Sequence, residues 1–241
     1  MCEPPVRALL AVADPTDWPP TQPEPVDLPG EVERARAALG DIPTTVLPAP
    51  CSGARATLAS IGAALRDAPQ ICYLVGHALL VQGTPCLWME QPDGSGAPVA
   101  AMTLAAQLTH ADDRPSLVVL AAYAEAGSPD DAGALAAVGL GLAQAGLPAV
   151  LTVPGCGPAA TMDRFLAIFF RAFRREGRVD RALAVARDAV PAPADQPVCF
   201  LRDADGQISQ EPPLSVERGP LADDARLDAP CAARSVPADM I

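Results

Sequence analysis

Lysine is absent from this chain of 241 residues, and each of its 17 cations is an arginine. Set against 29 acidic residues, they leave a net charge of −12 at pH 7. So acidic a chain repels phosphate backbones at long range, which argues against a nucleic-acid binder. Long hydrophobic runs are missing too. No window approaches the ~18 uninterrupted apolar residues of a membrane span, so no membrane partner is expected. The opening residues, MCEPPVR, lack a basic stretch followed by an apolar core, so no secretory leader is expected. The seven cysteines, at 2, 51, 72, 86, 156, 199 and 231, contain no C-x-x-C pair. That removes the usual signature of a zinc site or a thioredoxin-like motif, and neither a metal nor a cofactor is expected. Several lie in apolar runs such as QICYLV and PVCFL, where buried reduced thiols and a cytoplasmic location fit best.

Half of the residues are apolar and 19% are charged, which excludes wholesale disorder and allows one sizeable core. The first strand is expected at RALLAVA (7–13), stopped by Asp14-Pro15. Six prolines between 14 and 29 predict a long irregular loop there. A helix should follow in EVERARAALG, with Gly40 at its end, then a strand at TTVL and an amphipathic helix at 56–68. QICYLVG (70–76) reads as a buried strand with His77 just past its end. LLVQGTPCLWMEQPDG (79–94) reads as a β-hairpin. Further strands are expected at 116–122 and 148–154, a final strand and turn at 198–206, and helices at 102–111, 132–146, 161–177 and 179–190. The domain is expected to span 1–209, with residues 210–241 a disordered tail.

Strands that are apolar throughout, alternating with helices, predict an α/β three-layer fold with a mainly parallel sheet and helices on both faces. In such sheets function lies at the carboxyl ends of the strands. Two ends carry unusual residues: Gly76-His77 and Ala122-Tyr123-Ala124-Glu125.

The order of these segments resembles the CHAT domain, a bacterial branch of the caspase–separase peptidase clan. AVADPTDW…DLPGEVERARAAL resembles that family's first strand, D-P loop and L-P-G helix. YLVGHA resembles its strand ending in G-H-G, and LVVLAAYAEAG aligns without gaps on its L-V-V-L-S-A-C-E-S/T-G. The stretch from GLAQAG to FFRAF, then RALAVAR and VCFLRDADG, resembles the remainder, so the likeness runs from about residue 7 to 209.

The resemblance implies a three-layer caspase-like fold with the catalytic base at His77. It puts the position of the nucleophilic cysteine on Tyr123. A phenol, with a pKa of about 10 against roughly 8.5 for a thiol, attacks amides poorly. The expectation is therefore a pseudopeptidase that acts as a binding, scaffolding or regulatory subunit for a protein partner. An active peptidase or a sensor would be such a partner, since CHAT domains are frequent in bacterial defence and cell-death systems. The chain leaves no room for a fused sensor, so a separate one is expected. Two alternatives stay open. Cys86, on the hairpin, or Cys156, after the 148–154 strand, would supply a non-standard nucleophile to His77, or the strand-end cleft would hold a small molecule. On its plain chemistry, His77 is a polar residue at a strand end and Tyr123 a packing residue. His110, before Asp112-Asp113, should be exposed. Gly139-Leu140-Gly141 falls inside a helix, which rules out a phosphate-cradling turn. Arg171, Arg174, Arg175, Arg178 and Arg181 read as the solvated face of an amphipathic helix, with an acidic partner as the rival reading.

Overall fold

Ala8–Val12, ALLAV, is buried at all five positions, because a strand covered on both faces needs apolar side chains at both parities. It is β1 of a computed structural model that describes residues 6–17, 26–49, 53–110, 114–123, 129–154, 159–190, 197–202 and 208–211. The other strands are β2 (Thr44–Leu47), β3 (Ile71–Val81), β4 (Thr84–Glu90), β5 (Gly96–Ala100), β6 (Leu117–Tyr123), β7 (Ala149–Pro154), β8 (Val198–Arg202) and β9 (Ile208–Glu211). The helices are α1 (Leu28–Leu39), α2 (Leu58–Ala64), α3 (Ala101–Thr109), α4 (Pro129–Gln144), α5 (Ala159–Glu176) and α6 (Val179–Ala189). A single 3-10 turn, Leu65–Asp67, extends α2.

The strands run in the order β2-β1-β3-β6-β7-β8-β9. The first five are mutually parallel, and β8 and β9 are added antiparallel. Strand parity sorts the core. Ile71, Tyr73 and Val75 of β3 pack with α1, α5 and α6. Cys72 and Leu74 pack with α2, α3 and α4. The chain therefore has the expected α/β fold, a mostly parallel sheet between two helical layers.

Local chemistry accounts for the boundaries. Asp27 accepts a hydrogen bond from the Gly30 amide at 3.3 Å, and Pro29 occupies the first turn of α1, where a missing N–H costs nothing. Helix α1 thus begins at Leu28, inside the stretch expected to be irregular, and ends before Gly40. Thr57 and Ser60 form a reciprocal capping box on α2.

Strand β3 corrects the expected boundary at residue 76. Parallel pairing with β6 stops at His77, but β4 folds back and pairs with β3 from His77 to Val81. On the flank that β1 leaves after Val75, β4 supplies the hydrogen bonds, so the strand continues. The turn sits at Gln82-Gly83, with φ of 52° and 80°, both in the left-handed region a two-residue hairpin demands. Thr84 and Pro85 already belong to β4, and β5 adds a third antiparallel strand. At the other end β9 runs to Glu211, and the rest of the expected tail, 212–241, lies outside the described residues.

Gly139, in mid-helix, shows why α4 tolerates its glycines. A Cβ there would lie 2.5 Å from Thr152 Cγ2 and 3.0 Å from Phe200 Cε2, so only a glycine lets α4 approach β7 and β8 this closely. Gly139→Ala is expected to destabilise the fold by about 1–3 kcal/mol through overpacking, less roughly 1 kcal/mol returned by better helix propensity. A lowered urea midpoint at unchanged m-value checks it.

Candidate functional site

The parallel strands deliver their carboxyl ends to one edge of the sheet, and the register fixes what meets there. His77 of β3 and Tyr123 of β6 are Cα partners, the last parallel pair between these strands. On the opposite flank His77 pairs with Trp88 of β4. His77 shares the parity of Tyr73 and Val75 and is 4% exposed. The sheet thus brings together the two strand-end residues that the sequence singled out, and sets a tryptophan beside the histidine.

Loops lace over this edge. The Thr16 amide and hydroxyl both donate to the Gly94 carbonyl at 3.0 Å, and Asp17 Oδ1 accepts from the Gly96 amide at 2.6 Å. A Cβ on Gly96 would fall 2.0 Å from Trp88 Nε1 and 3.0 Å from Pro15 Cβ, so the indole packs against bare backbone beneath the loop after β1. Glu90, buried at the end of β4, holds the arrangement from below. Its Oε1 accepts from the Asp14 amide at 3.1 Å and its Oε2 from the Ala56 amide at 2.8 Å. One carboxylate therefore ties the end of β1 and the segment before α2 to the hairpin. Burial pushes the Asp14 carboxyl above the usual range, opposed by the Arg55 guanidinium. Hydrogen bonds from the Ser95 hydroxyl and amide hold the Asp93 carboxyl below it.

Sequence reasoning missed Trp88 and Glu90. The signal was present, since Glu90 is a lone charge closing the apolar stretch C-L-W-M-E, where burial requires backbone partners.

Cys86 sits opposite Leu79, one diagonal step from the His77–Trp88 pair. Burial pushes its thiol up, against a smaller pull from a backbone hydrogen bond at Val81, so at neutral pH it is a thiol rather than a thiolate. Cys156 and the residues 124–128 after β6 lie outside the described residues. Cys72, fully buried, is pushed up to about 12. With Cys199 also buried, these three thiols are expected to react with iodoacetamide at pH 8 at least about tenfold more slowly in the folded chain than in urea. Peptide mapping by mass spectrometry checks this.

His110 follows α3 and is exposed. The arginines of α5 and α6 are largely paired at the surface: Arg174 with Asp41 at 3.2 Å, Arg175 and Arg181 with Glu176 at 3.5 and 3.7 Å, and Arg178 with Asp180. Such exposed pairs add little to stability, as expected of a solvated face. Among the described residues no group of three His, Cys, Asp or Glu is placed to hold a metal ion, and no helix is long and apolar enough to cross a membrane.

The family model for the CHAT domain matches residues 3–214, most of the chain. No curated protein matches it.

Proposed function

The chain belongs to the CHAT domain family, and from that premise we propose that this caspase-like, peptidase-related fold has lost peptide hydrolysis and serves as a binding, scaffolding or regulatory subunit for a protein partner. One observation carries the reading. Where the family pairs an imidazole with a thiolate on neighbouring strand ends, the residue in register with His77 is Tyr123. Peptide cleavage by this route needs a nucleophile that the imidazole deprotonates, and a phenol is both a weaker attacker of amides and a bulkier occupant of the cleft than a thiol. The 4% exposure of His77 supports the same reading, because a working base must reach a substrate. A cytoplasmic role in a bacterial defence or cell-death system, beside an active peptidase or a separate sensor, fits such a subunit.

The test is covalent. The wild-type chain is expected to take up a thiol-reactive peptide warhead no faster than a His77→Ala variant, and to cleave no peptide. Tyr123→Cys is expected to acquire warhead labelling that depends on His77. Labelling of the wild type at Cys86 or Cys156 that vanishes in His77→Ala would overturn the proposal and establish a non-standard cysteine peptidase.

A further inference from the structure

Helices α5 and α6 are the basic part of an acidic chain. Residues 159–189 hold seven arginines against four carboxylates, seven less four leaving +3 where the whole chain carries −12. Four of these arginines are answered at the surface by Asp41, Glu176 or Asp180. Arg164 and Arg171 are not. Both are exposed, and neither makes an ion pair with a described residue. At 3.6 residues per turn, Arg164, Arg171 and Arg175 fall within about 40° of one another, on the side of α5 away from Phe165, Phe169 and Phe173. Arg175, its side chain 78% exposed, has only Glu176 at 3.5 Å. The two carboxylates of α5 lie off this line. Asp163 feels the charges of Arg34 and Glu31 on α1, and Glu176 sits between Arg175 and Arg181.

We propose that the outer line of α5, formed by Arg164, Arg171 and Arg175, docks an acidic segment of a protein partner. A solvated face mixes charges of both signs, as the turn from α5 to α6 does. Along the outer line, Arg171 and Arg175 instead stand four residues apart with like charge, an arrangement that destabilises an isolated helix. Carboxylates are not in short supply, since acidic residues outnumber arginines 29 to 17; they are placed elsewhere. Three arginines spread over about 16 Å, at 1.5 Å per residue, match the carboxylates of one short acidic segment. Duplex nucleic acid fits less well, because its phosphates would run on from this line over a chain whose remainder is acidic. The inference takes from the proposed function only that a protein partner exists, and it uses neither His77 nor Tyr123.

The experiment titrates the isotope-labelled intact chain with an octaglutamate peptide at about 20 mM salt, where screening is weak, and follows the amide resonances. Binding in the millimolar range is expected, because exposed ion pairs are individually weak, with shifts concentrated between Arg164 and Arg175. Raising the salt to about 200 mM should weaken it several-fold. Arg164→Glu with Arg171→Glu is expected to raise the dissociation constant at least about tenfold without lowering the melting temperature, since both side chains are exposed. Arg66→Glu with Arg114→Glu makes the same change in net charge at exposed positions elsewhere, and should weaken binding no more than about threefold. Shifts absent at about 5 mM peptide, shifts centred outside α5, or equal losses in the two double variants would overturn the proposal. So would a DNA duplex that binds the same line more tightly than the peptide. Warhead labelling of the wild type through His77 would instead sink the inactive-subunit reading and leave these shifts as they are.

Discussion

Phe169→Ala is expected to cost about 3–5 kcal/mol of stability, the largest effect of any single substitution considered for this chain. The reason is geometric. Phe165, Phe169 and Phe173 recur every fourth residue, so the helix period stacks them on one face of α5. Their ring centroids lie 6.5 and 6.2 Å apart and their planes 7° and 3°. Phe170 meets Phe169 edge-on at 5.2 Å and reaches Tyr73 of the sheet at 6.3 Å. Phe169 is fully buried at the centre of this group, so truncation removes a large apolar side chain and leaves a cavity walled by rigid rings that collapse poorly. In a domain of this size the loss corresponds to a melting temperature lowered by about 10 °C, measurable by calorimetry. Phe169→Leu should recover most of it; an alanine variant as stable as the wild type would contradict the packing described.

Glu90→Ala is expected to cost about 2–4 kcal/mol, because it strands two backbone donors, the amides of Asp14 and Ala56, that the carboxylate satisfies. The loss should also be local. Hydrogen exchange at those two amides is expected to lose its protection ahead of global unfolding, since each anchors a loop rather than a strand interior. Glu90→Gln keeps two polar atoms but turns one into a donor facing a donor, and should fall between. If the alanine variant were destabilised with exchange at Asp14 unchanged, the clasp would not be what holds the loop after β1. The same substitution bears on the site, since that loop covers Trp88 beside His77.

A large part of the fold was legible in the sequence, because the strands at the sheet's centre are buried on both faces and so read as unbroken apolar runs. ALLAV, QICYLV, LVVLAA and AVLTV all became strands of the parallel sheet. Strand ends were harder. His77 gave no sign that β3 would run on to Val81, since that extension depends on β4 pairing along the flank that β1 leaves after Val75. The glycines of α4 looked like a weakness until Thr152 and Phe200, distant in sequence, were seen to occupy the space a side chain would need.

The primary structure by itself determined the alternation of helices and strands, the charge of −12, and the presence of a tyrosine at position 123, since these depend on residue identity and local period. Only the folded chain decided that His77 lies in register with Tyr123 on one flank and Trp88 on the other. It also decided that Glu90 binds two loops. These are properties of pairing between segments 11 to 76 residues apart in sequence. Register and layer assignment follow from which faces bury the most apolar surface together, a comparison that no single segment carries.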